Sequence, residues 1–101
     1  MVLGGLLTDS GFSSWRKTKM ISIEPGKSIT IQRVFGLLTM RNKNVNDGIA
    51  HVYSCGQNTV KPVFEGVKFN IEMNINVGTL TIKNNYSTVF TACIEYQNLS
   101  Y

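Results

Sequence analysis

The sequence predicts an all-β protein, an antiparallel two-sheet β-sandwich of jelly-roll type with about eight short strands. Three observations carry that prediction. In residues 67–77, Val67, Phe69, Ile71, Met73, Ile75 and Val77 alternate with Lys68, Asn70, Glu72, Asn74 and Asn76. A strand sends successive side chains to opposite faces, so this is a strand with one apolar and one wet face. Turn signals built on Gly, Pro, Asn and Asp recur at intervals of roughly 8–12 residues, the rhythm of sandwiches and barrels. No helical period lasts anywhere along the chain.

Composition agrees. A chain of 101 residues is most simply one domain with a core of its own. Its 43% apolar content is ordinary for a globular protein, while only 16% of residues are charged. Abundant Asn, Thr and Ser take the place of charge, as on the outer faces of β proteins. The net charge of +4 is a mild bias, short of the dense basic stripe of a nucleic-acid binder.

In chain order, residues 1–19 read as an arm, because Gly, Ser and Thr punctuate them and no period persists. Leu3, Leu6, Leu7, Phe12 and Trp15 are its candidate contacts to a neighbouring subunit, the other reading being that the arm covers its own sheet edge. The β-sandwich domain is expected over 20–101. Met20 to Ile23 alternates and stops at Glu24-Pro25-Gly26-Lys27, a type II turn signal. Residues 28–34 alternate again, with Ile29 and Ile31 on one face. Gly36 breaks that alternation and residues 37–40 begin a further strand.

A polar loop follows over 41–48, then a strand over 49–55. The strand over 59–64 contains Pro62 and is therefore expected at an edge or at a bulge. The strand over 67–77 would reach roughly 36 Å at about 3.3 Å per residue, so it is expected to bend or to run past the molecule's edge. Residues 79–83 alternate with Leu80 and Ile82 inward, and Asn84-Asn85 makes the next turn. Residues 88–96 carry apolar groups on both faces, with Phe90, Ala92, Ile94 and Tyr96 together, and are expected to be a central strand.

Catalytic chemistry is scarce. The single histidine, His51, is four strand positions from Cys55, about 13 Å, too far for a nucleophile–base pair. It is expected to be a surface or half-buried strand residue. The acids Asp9, Glu24, Asp47, Glu65, Glu72 and Glu95 form no pair at a telling spacing. No phosphate-cradling glycine motif and no metal-ligand spacing occurs, so no catalytic residue, no cofactor and no metal is expected. Cys55 and Cys93 allow one disulfide or two free thiols. No segment approaches a membrane span, and Met1 to Leu7 lacks the basic start of a signal peptide.

What remains is surface. Lys68, Asn70, Glu72, Asn74 and Asn76 form an amide-rich strip, and amides beside an aromatic ring suit carbohydrate. Tyr53, Tyr86 or Tyr96 would supply the ring, and Tyr86 is taken with the strip as the candidate site. The rival reading is a single-stranded nucleic-acid-binding β-barrel, on the basic balance, Trp15 and the 41–43 loop. A third is a stand-alone carbohydrate-binding domain.

Residues 26–31 (Gly-Lys-Ser-Ile-Thr-Ile), 51–56 (His-Val-Tyr-Ser-Cys-Gly), 60–63 (Val-Lys-Pro-Val), 78–85 (Gly-Thr-Leu-Thr-Ile-Lys-Asn-Asn) and 91–95 (Thr-Ala-Cys-Ile-Glu) resemble the small β-sandwich tip domains of bacteriophage and prophage tail fibres. The resemblance covers about residues 20–97. It implies a non-enzymatic virion component that assembles as a homo-oligomer, a trimer by analogy, and contacts a cell-surface glycan or protein. Other virion proteins would be its partners, and nucleic acid and membrane would not. Its location would be the virion, or the host cytoplasm before assembly. The chain departs from the family in carrying no fibrous shaft.

Overall fold

The computed structural model describes residues 16–42 and 50–98. The candidate arm residues Leu3, Leu6, Leu7, Phe12 and Trp15 lie outside them. Eight strands run in the order β1 (Arg16–Ile23), β2 (Ser28–Ile31), β3 (Val34–Asn42), β4 (His51–Cys55), β5 (Val60–Phe64), β6 (Ile71–Asn76), β7 (Thr79–Asn84) and β8 (Phe90–Asn98). They form two antiparallel sheets, β1-β8-β3-β4-β5 and β2-β7-β6. Successive strands β1, β2 and β3 alternate between the sheets, so the chain is stitched across the core rather than wound within one layer.

That core is the inner faces of both sheets. Ile23, Leu38, Met40, Phe90 and Ile94 of the five-stranded sheet pack with Ile31, Ile75, Leu80 and Ile82 of the three-stranded one. The central strand β8 lies between β1 and β3 and buries Phe90, Ala92, Ile94 and Tyr96, the face its sequence marks as inward. On the outer face of the smaller sheet, Thr30, Thr81 and Asn74 stand in one row and Ser28, Lys83 and Glu72 in the next. The wet face of the alternating stretch is real.

Four of the differences from the sequence reading have a clear physical reason. β1 begins at Arg16, so residues 16–19 belong to the sheet and not to an arm. All four side chains are exposed there, and pairing with β8 through the backbone leaves no apolar alternation to read. Gly36 does not end a strand. It sits inside β3 at φ 74°, where the β3–β8 register slips between Phe35 and Thr39, as at a β-bulge. Asn84 is the last residue of β7 and fully buried, not an exposed turn residue.

The alternating stretch is shorter than it looks. Its inward phase holds for Phe69, Ile71, Met73 and Ile75, but Val67 and Val77 are 75% and 67% exposed. Residues 65–70 cross from one sheet to the other before β6 begins. At the other end the chain reverses through Val77-Gly78, with φ 50° and 77°. Positive φ at both central positions makes this a type I′ hairpin turn.

A β-branched residue in the left-handed region is strained, whereas Gly78 is required twice over. A Cβ at Gly78 would lie 2.8 Å from Phe35 Cζ. Replacing Val77 by asparagine, which tolerates that φ and keeps the Val77 N–H bond to Asn58 Oδ1, is expected to stabilise the domain by about 1 kcal/mol in urea denaturation. An unchanged midpoint would show that the turn is not strained.

Both thiols are free, Cys55 buried and Cys93 half-buried. They lie on opposite faces of the five-stranded sheet. Burial pushes the Cys55 thiol up to about 11 from its ordinary value of 9.0. The raised value means the folded state holds the proton more tightly than the unfolded one. Stability from this group is therefore complete below pH 9 and is lost as pH rises toward 11. Tyr53 and Tyr96, also raised by burial, push the same way. Cys55→Ala is expected to flatten the alkaline fall of the urea midpoint between pH 9 and 11 without removing it. Identical slopes for the two proteins would disprove the assignment.

Candidate functional site: a groove between two sheet edges

The sheets are unequal, and the difference creates the site. The larger sheet runs on through β4 and β5 past the edge of the smaller one at β6. An open groove of about 470 Å³ lies in the step between them. Val60 and Pro62 of β5 form one wall. Residues 71–74 of β6 form the other, and the buried rings of Tyr53 and Phe69 the floor. Glu65 and Lys68, from the crossing segment, close one end.

A buried polar chain holds that crossing segment in place. The Gly66 N–H donates to His51 Nε2 at 3.3 Å, so that nitrogen carries the lone pair and the proton sits on Nδ1. Nδ1 then donates to Tyr53 Oη at 3.4 Å, and the Tyr53 hydroxyl donates to Glu65 Oε2, also at 3.4 Å. Burial, reinforced by the Glu65 carboxylate, holds the Tyr53 phenol well above its ordinary range. The His51 ring stacks on Phe69 at 3.9 Å, within 3° of parallel. Phe69 in turn meets Phe90 edge-on at 5.7 Å.

His51 is therefore fully buried, not the surface or half-buried residue its sequence context implies. The burial is affordable because both ring nitrogens have partners inside the protein. Its role is to tie β4 to residues 65–69, which fixes Phe69 and Lys68 at the groove.

The strip predicted from the sequence divides. Lys68, Glu72 and Asn74 line the groove, while Asn70 and Asn76 do not. Asn70 instead donates through Nδ2 to Asn85 O at 2.9 Å, and Asn85 Nδ2 donates to Glu72 Oε2 at 2.7 Å. These bonds lock the start of β6 to the β7–β8 turn. Tyr86 also lies outside the groove, half-buried and stacked on Phe90 at 5.9 Å. Tyr96 is buried on β8.

Sequence reasoning missed the walls, Val60, Pro62, Ile71 and Met73. Pro62 was the available signal, because it marks β5 as an edge or a bulge, and a groove needs two edges. Among the described residues, no three His, Cys, Asp or Glu side chains gather as a metal site. The described residues contain no helix long and apolar enough to cross a membrane. Among the described residues the strands form two separate sheets, not the single closed barrel of the rival nucleic-acid reading. No protein-family model, curated protein or solved structure matches the chain.

Proposed function

We propose that this chain is a non-enzymatic binding and structural module, a phage or prophage particle component of the tail-fibre-tip kind that self-assembles and engages a cell-surface glycan or protein. The observation that supports it is the groove. It offers a cation, a carboxylate and an amide (Lys68, Glu72 and Asn74) over an apolar floor. Its volume, about 470 Å³, falls within the range of roughly 300–1,000 Å³ typical of ligand sites. The polar groups on its rim are directional donors and acceptors, suited to orienting a ligand more than to transforming one.

The experiment is binding of the fluorescently labelled protein to whole bacterial cells, compared with Asn74→Trp, which fills the groove from an exposed position. Binding that saturates and is lost in Asn74→Trp, with an unchanged melting profile, supports the reading. Equal binding by both proteins overturns the groove as the site. Light scattering tests self-assembly, and a strict monomer at high micromolar concentration overturns that part.

A further inference from the structure

We infer that the groove takes an added fourth strand of the smaller sheet, an extended polypeptide segment of a partner protein that pairs main chain to main chain with β6. This rests on the reading of the groove as a binding site and names the class of ligand.

The hairpin register fixes where the unused backbone groups point. In a two-residue type I′ hairpin the flanking residues, here Asn76 and Thr79, exchange both hydrogen bonds. Counting back in twos, Asn74 and Glu72 bond to Thr81 and Lys83 of β7. The N–H and C=O groups of Ile71 and Met73 therefore face away from β7, along the groove. Among the described residues no backbone bond outside the ladders uses them. Donors and acceptors at a strand's own spacing, beside an apolar floor, match an extended peptide.

The other three sheet edges are each protected. β1 carries Arg16, Lys17 and Lys19, all exposed, and β2 is only four residues long. Both are devices that discourage strand addition. β5 is blocked by Pro62. It stands opposite Tyr53, two positions on from the Val60–Cys55 pair beside the turn, and the Gly56 N–H to Thr59 O bond closes that turn at 2.8 Å. By the same counting, the N–H that proline lacks would have faced outward, into the groove. β6 has six residues with neither Pro nor Lys among them, and is the edge left able to pair.

The floor argues for a peptide over a sugar. The Tyr53 ring is 5% exposed with its hydroxyl committed to His51 and Glu65, and Tyr86 stacks elsewhere. Among the described residues that line the groove, no flat aromatic platform is presented to a pyranose ring. The fitting segment is apolar at alternate positions, which would rest on Val60, Pro62 and Tyr53. Its outward positions would carry charges complementary to Lys68 and Glu72.

The test uses a synthetic seven-residue peptide alternating valine and threonine, and the same peptide N-methylated at alternate amides on its pairing edge. The parent peptide is expected to bind and to slow hydrogen exchange at the Ile71 and Met73 amides. N-methylation is expected to weaken binding by about tenfold or more, since several main-chain bonds are lost together. Met73→Pro removes an outward N–H and leaves the β7 ladder intact, so it should weaken binding as much; because Met73 also packs against the core, binding is compared well below the variant's own melting transition. If that variant does not fold, the N-methyl comparison on the unaltered protein decides.

Equal binding of the two peptides, or no protection of Ile71 and Met73, overturns the inference. So does a chito-oligosaccharide that binds the groove where the peptide does not, though the binding-module reading then survives. Self-association abolished by Met73→Pro would make the occupant a second copy and also overturns it. Binding of neither peptide nor sugar, with cell binding absent as well, overturns both readings.

Discussion

Replacing Asn84 by leucine is expected to destabilise the domain by about 3–5 kcal/mol, close to the whole stability of many domains of this size. Asn84 is fully buried, and its side chain joins three segments. Nδ2 donates to Ile23 O at 2.9 Å on β1 and to Thr88 O at 2.8 Å before β8, while Oδ1 accepts the Tyr86 N–H at 2.8 Å. Leucine has a similar shape and no polar atoms, so two carbonyls and an amide lose their partners together. Each buried orphan costs about 1–3 kcal/mol, less where water can reach it. Because Tyr86 and Thr88 lie in a loop that can shift, the lower part of the summed range applies.

Urea denaturation should show the midpoint falling with the slope unchanged. Asn84→Asp is expected to be no better, since a carboxylate would face two carbonyl oxygens. A loss below about 1 kcal/mol for Asn84→Leu would mean that the loop relaxes freely and that the three bonds are not what closes this end of the sandwich.

Phe90→Ala is the second large effect, at about 3–5 kcal/mol, the usual range for a phenylalanine emptied from a packed core. Phe90 is 1% exposed and sits between Phe69 and Tyr86, with ring centroids at 5.7 and 5.9 Å. At about 4–8 °C per kcal/mol for a small domain, melting should fall by well over 10 °C. The change should also reach the groove. Phe69 is the floor on which His51 stacks, and loss of its neighbour frees it to move into the space left behind. Amide exchange at Gly66 should therefore quicken beyond the global loss of stability. Exchange that rises uniformly across the molecule would show that the aromatic chain does not hold residues 65–69.

How much of this was legible follows from which signals are local. Alternation locates β6, β7 and β8, because each has a dry face that must be apolar and a second face set by its surroundings. It fails at residues 16–19, which pair through the backbone alone, and at Gly36, where a bulge interrupts the period without ending the strand. Asn84 and His51 are polar residues whose partners a strand pattern does not show, Ile23, Tyr86 and Thr88 for Asn84 and Tyr53 and Gly66 for His51. Their burial is decided by partners that only the folded chain supplies. Three of the five strip residues, Lys68, Glu72 and Asn74, do reach the groove, because the wet face was correctly assigned. Asn70 and Tyr86 do not, because Asn85 and Phe90 occupy them.

The sequence by itself determined the class of fold, the number of strands, the inward face of each strong strand and that β5 lies at an edge or a bulge. These follow from period-2 patterning and from a proline's missing N–H, both properties of a few neighbouring residues. Tertiary structure alone decided that the sheets are unequal, five strands against three, and that the step between them leaves a groove beside β6. Strand order is a matter of which edges meet across the core, and no window of sequence contains both partners of such a meeting.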